Sequence, residues 1–139
     1  MTATIVLRAL GQAFTILRLL VSDFYYQWAM IYARWGQPAR ALWYFNRAVT
    51  MNRGGSKAYY NRGLLFVAIG APERAIGDFT AAIQNDPQHI DARINRSIVY
   101  TLTGRHEQAL HDLEQAVEMG ADREVLEQQI SDARMRAGT

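Results

Sequence analysis

Cysteine is missing from the chain, so neither a disulfide framework nor a thiolate metal site is open to it. Histidine is nearly as scarce: only His89, His106 and His111 occur. His106 and His111 stand five apart, which puts them on different faces of a helix instead of side by side as metal ligands need. The Gly54-Gly55 pair has no lysine at phosphate-loop spacing. Acid pairs such as Asp112 and Glu114, or Glu124 and Glu127, read as solvated helix faces. With no nucleophile and base set together, the chain does not read as an enzyme, and neither a cofactor nor a metal is expected.

Acids are also rare at the front. Up to Gly55 the only one is Asp23, against six arginines (8, 18, 34, 40, 47 and 53), a local charge of +5; from Ser56 onward the balance is −3. The total of +2 is too small to argue for a nucleic-acid partner, and none is expected. Nine of the fifteen aromatic residues lie between Phe24 and Phe45, including Trp28, Trp35 and Trp43. Half the chain is hydrophobic and a fifth charged, enough for one domain with a real core in 139 residues.

What the chain has is periodicity. Slid along itself by 34 residues, it brings Gly36, Gly70 and Gly104 into register, then Ala41, Ala75 and Ala109, then Ala48, Ala82 and Ala116. That period is the length of a helix–turn–helix unit, which predicts an all-α solenoid presenting a groove. In the middle unit, Tyr59, Gly63, Phe66 and Ile69 make one apolar face of a first helix. Gly70 stops it and Pro72 suits the first turn of a second helix, whose packed face is Ala75, Ile76, Phe79, Ala82 and Ile83. Asp86-Pro87 ends the unit. Gly63 and Ala75 mark a close helix crossing, and Ala82 the contact with the next unit.

This pattern resembles the tetratricopeptide repeat (TPR) family: an aromatic, Leu, Gly and Tyr, then Ala, Phe, Ala and Pro, read here as Tyr59, Arg62, Gly63, Phe66, Ala75, Phe79, Ala82 and Pro87. Residues 22–55 match with Tyr25, Ala29, Tyr32, Ala41, Phe45 and Ala48, and Arg53 replaces the proline. Residues 90–123 match with Ser97, Tyr100, Ala109, Leu113 and Ala116, and Ala121 replaces it. Arg62, Arg93 and Arg96 depart from apolar consensus positions; a long stem can cover apolar surface while its head reaches water. The resemblance implies three repeats (22–55, 56–89 and 90–123) and a capping helix at 124–139, with Asp122 as N-cap and Val125, Leu126, Ile130 and Ala133 as its apolar stripe.

It also implies a partner segment in a groove lined by Tyr26, Gln27, Met30 and Arg34, then Lys57, Tyr60, Asn61 and Leu64, then Asp91, Ile94, Asn95 and Ile98. Gln27, Asn61 and Asn95 share one register position, and a carboxamide both donates and accepts, as the backbone of an extended peptide requires. These amides could equally bind neighbouring helices. Family members that clamp an acidic C-terminal peptide carry Lys and Asn in one unit, Asn in the next, and Lys and Arg in the third, where this chain has Tyr26, Met30, Asn61, Asp91 and Asn95. Only Asn61 agrees and Asp91 would repel a carboxylate, so that subclass is not expected.

Residues 1–21 remain. From Ile5 to Val21 the segment is mostly apolar, with Arg8, Gly11, Gln12, Thr15 and Arg18 on a narrow stripe. It is short for a membrane span and holds two arginines. It lacks the early basic region and small-residue cleavage site of a secretory signal. Three readings stand: a cap on the first repeat, contact with a membrane or a membrane protein through Arg8, Phe14, Leu17, Arg18, Trp35 and Trp43, or self-association. The expected role is a non-catalytic scaffold or accessory subunit in the cytoplasm, peripheral to a membrane in one reading and a self-assembling oligomer in another.

Overall fold

The computed structural model describes residues 2–53 and 55–138, and these form seven helices and no strand. They are α1 (Thr2–Arg34), α2 (Pro38–Met51), α3 (Ser56–Ala68), α4 (Pro72–Asn85), α5 (Ile90–Leu102), α6 (His106–Glu118) and α7 (Arg123–Ala137). The all-helical repeat order read from the sequence is what the chain adopts. Two units divide it, one through Ala58 and one from Tyr59 onward.

The periodic glycines end the first helix of each pair. Gly36, Gly70 and Gly104 have φ of 65, 73 and 75°, a left-handed conformation that a side chain resists. Each closes its helix in the same way: the following N–H donates to the carbonyl five residues back, from Gln37 to Tyr32, Ala71 to Phe66 and Arg105 to Tyr100, at 2.8–2.9 Å. Pro38 and Pro72 then open α2 and α4 at positions where a missing N–H costs nothing.

The periodic alanines are the packing contacts, and Ala41, Ala48, Ala75, Ala82, Ala109 and Ala116 are all buried. Phe45 and Phe79 fill the space between them; burying such a ring stabilises by roughly 1.5–3 kcal/mol. At Gly63 even one more carbon has no room, since a Cβ would fall 2.7 Å from Phe79 Cε1. Ala29 and Ser97 take that position in the first and third repeats, and the Ser97 hydroxyl donates to the Ala109 carbonyl at 2.8 Å. In the second unit, Ala82 and Ile83 meet Ala92, with Tyr59 and Tyr60 against them.

At the far end, the Asp122 carboxylate accepts the Val125 N–H and caps α7. Leu126 packs on Leu113 and Ala116, with Ile130 beside it, as expected of a capping helix. Val125 and Ile69, both expected on packed faces, are exposed. Ile69 lies one residue beyond the last residue of α3, where the chain has already begun to turn.

Two expectations need correcting. The heads of Arg62 and Arg96 are not simply solvated: each makes a part-buried bidentate pair at 2.7 Å, with Asp78 and Asp112 respectively. Asp112, expected on a solvated face, is 1% exposed. The second correction concerns residues 1–21, which are not a helix apart. α1 runs unbroken through Ser22 to Arg34, and everything from Thr2 to Leu20 is exposed, so among the described residues of the first unit none covers it.

Candidate functional site

In the first unit, Tyr26, Gln27, Met30 and Arg34 follow one another along α1 and line an open concavity of about 790 Å³, with Ile31 and Trp35 at its side. The Tyr26 hydroxyl is held above the ordinary tyrosine range by burial and then by the Asp23 charge. Lys57 is exposed on the first turn of α3. Trp43 is exposed on α2, beneath the Arg47 guanidinium at 5.1 Å. Trp28, Tyr32 and Tyr44 stack between α1 and α2, with Arg40 over Tyr32.

In the second unit, Tyr60, Asn61 and Leu64 lie half-buried on α3. Asp91, Ile94, Asn95 and Ile98 face Gln129, Ala133 and Arg136 of α7 across a cleft of about 480 Å³. Asn95 Nδ2 donates to the Tyr60 hydroxyl at 3.2 Å and to the Asp91 carbonyl at 2.8 Å. Both of its amide hydrogens are thus donated, one to α3 and one within α5, and the amide is held in place. Tyr60 also lies against the His89 ring at 4.7 Å. Burial, and then the charge of Asp91, raise its hydroxyl pKa, while the bond from Asn95 opposes the shift.

His89 is structural: its Nδ1 accepts the Ala92 N–H and caps α5. His106 and His111 are exposed on α6. Behind the cleft, Arg96 joins three helices, donating to Asp112 on α6 and to Thr80 on α4. Burial alone would lower its pKa, but the hydrogen bond and charge of Asp112 hold it above the usual value.

Residues 26–90 and 67–124 match the tetratricopeptide repeat family. The chain belongs to that family. No curated protein matches this TPR chain in sequence. Among solved structures it is similar to the TPR domain of Arabidopsis OM64, with 19% identity and a TM-score of 0.74 over 83% of this chain and 98% of that one. It is similar to YrrB, described as a TPR protein with an unusual peptide-binding site, with 28% identity and a TM-score of 0.70 over 78% of this chain and 56% of YrrB. It is also similar to the second TPR of Spaghetti, solved bound to an HSP90 peptide, with 21% identity and a TM-score of 0.68 over 71% of this chain and 92% of that one. The family is one of protein-interaction modules.

On α7, Gln129, Ala133 and Arg136 line the cleft, which sequence reasoning misses by giving that helix only the role of a cap. The signal was present: Gln129 is one further period of 34 beyond Asn95, so Gln27, Asn61, Asn95 and Gln129 are carboxamides at one register position. Leu126 likewise follows Ala58 and Ala92, all three buried. α7 therefore holds the position that a first helix would occupy in a further repeat.

Proposed function

We propose that this TPR chain is a non-catalytic scaffold or accessory subunit, held peripherally at a cytoplasmic membrane surface by α1, that binds an extended segment of a protein partner. The observation that carries the groove reading is the carboxamide at equivalent positions of α3, α5 and α7 in the second unit, beside Ile94 and Ile98. A carboxamide oxygen accepts a backbone N–H even where, as at Asn95, the amide hydrogens are already donated, and the isoleucines supply apolar contact. Asp91 and Arg136 put both charge signs in the same cleft. An acidic C-terminal peptide of the kind bound by the Spaghetti repeat would be repelled by Asp91, so the partner we infer is of mixed charge. The test is co-purification from the native cell. A partner recovered in stoichiometric amount should be lost with Asn61→Arg or Asn95→Arg and kept with Leu110→Arg on the opposite side; loss with all three, or with none, would count against the groove.

A second reading, self-assembly through α1, is favoured by the seven-residue spacing of Leu10, Leu17, Phe24 and Ile31, all exposed on one line. Light scattering decides it, because a monomer at all concentrations excludes it.

A further inference from the structure

The first two-thirds of α1 is built so that its apolar side faces away from α2. Ser22 and Ala29 are the buried residues of α1, and the Ser22 hydroxyl donates to the Ala48 carbonyl of α2 at 3.0 Å. Continued toward the N-terminus at three- and four-residue steps, that same line passes through Arg18, Thr15, Gly11 and Arg8. The side of the helix that meets α2 is therefore the polar side of residues 5–21. Leu10, Leu17, Leu20 and Phe24 lie on the opposite side, each at least 57% exposed.

That apolar surface is wider than one partner helix would cover. A coiled-coil seam uses two positions in seven. Here Ile5 and Ile16 are exposed outside a seam of Leu10, Leu17 and Leu20 as well. A lipid surface covers such a sector whole. Charge points the same way, since no acid precedes Asp23 and the first 55 residues carry a balance of +5. By length and composition α1 could also cross a bilayer. Arg8 and Arg18, however, are ten residues or about 15 Å apart, half of the roughly 30 Å hydrocarbon thickness. A spanning helix cannot place both at its two surfaces, whereas a helix lying flat places both at one.

We propose that residues 5–21 of α1 lie flat in the surface of an anionic bilayer, with Leu10, Leu17 and Leu20 in the acyl boundary and Arg8 and Arg18 on lipid phosphates. The proposal rests on the membrane part of the function given above. In this pose α2 stands on the water side with the arginines, so insertion leaves the first repeat packed as it is.

The test is flotation of the full chain with vesicles of phosphatidylcholine alone or mixed with phosphatidylglycerol, the fold of each variant being checked by circular dichroism. Binding should require the anionic lipid, fall about 30-fold in R8Q/R18Q, and persist in R8K/R18K. The absence of native cysteine lets topology be read from single additions. A membrane-impermeant maleimide outside the vesicles should label Thr4→Cys as fully as Glu124→Cys. Flotation with neither vesicle sinks the membrane reading and this proposal together. Equal flotation with both vesicles and with R8Q/R18Q leaves attachment standing and overturns the proposal. Protection of Thr4→Cys alone shows a spanning helix and overturns it too. So does a soluble dimer that ignores vesicles and dissociates on Leu17→Asp.

Discussion

Trp28 and Tyr44 stack with their ring centroids 6.3 Å apart and their planes at 27°, in the register position that the next two repeats fill with the Arg62–Asp78 and Arg96–Asp112 ion pairs. One helix-to-helix contact thus has two chemical solutions in a single chain. The aromatic version sits in the first unit, where Tyr32 also stacks on Tyr44 at 5.1 Å. The charged version recurs one period later, with all four oxygens of the two aspartates accepting at 2.7 Å.

Truncating Asp112 to Ala should be among the most damaging single changes in the second unit. It leaves the Arg96 guanidinium, whose side chain is 14% exposed, without its counter-charge, at a cost of about 3–5 kcal/mol. Replacing both partners, as Arg96→Met with Asp112→Leu, should recover most of that loss, because no buried charge is then stranded. Urea denaturation of the three variants measures this. A single variant as stable as the parent would show that the pair contributes nothing.

Gly63→Ala should destabilise by about 1–3 kcal/mol, because the added methyl must displace the Phe79 ring. Combining it with Phe79→Leu should cost less than the sum of the two single changes, since the shorter side chain vacates the contested space. Thermal melts of the double-mutant set decide the matter, and strict additivity would mean that the two residues do not compete.

Alkaline pH should weaken the contact between α3 and α5. The Tyr60 hydroxyl has a raised pKa from burial and then from Asp91, so the folded state disfavours the tyrosinate. The stability it contributes is complete below the unfolded value near 10 and is lost as pH rises through the folded value. Asp91→Asn removes the charge and should let Tyr60 ionise at lower pH, read as tyrosinate absorbance against a Tyr60→Phe blank. An unchanged titration would mean that Asp91 does not act on this ring.

The repeat was legible because its glycines and alanines answer to steric rules that act locally: left-handed turns at Gly36, Gly70 and Gly104, and close crossings at the six periodic alanines. The ion pairs were not legible, because Arg62 and Asp78 are sixteen residues apart on different helices and each alone resembles a surface charge. Their recurrence at Arg96 and Asp112 was the available clue. The expected boundary near residue 21 failed for a related reason: nothing between Gly11 and Gly36 breaks a helix, and Ser22 is small enough to pass under Ala48. The engagement of Asn95 with Tyr60 was not legible either, because it depends on the spacing of α3 and α5, which only the packed structure defines.

Because α7 keeps the register of the helices before it, the array is modular at that junction. A copy of residues 90–123 spliced in ahead of α7 would meet a surface already shaped to receive it. The row of carboxamides would gain one rung, and the reach of the cleft along a bound strand would grow with it. Length, in such a chain, becomes a dial for how much of a partner is gripped.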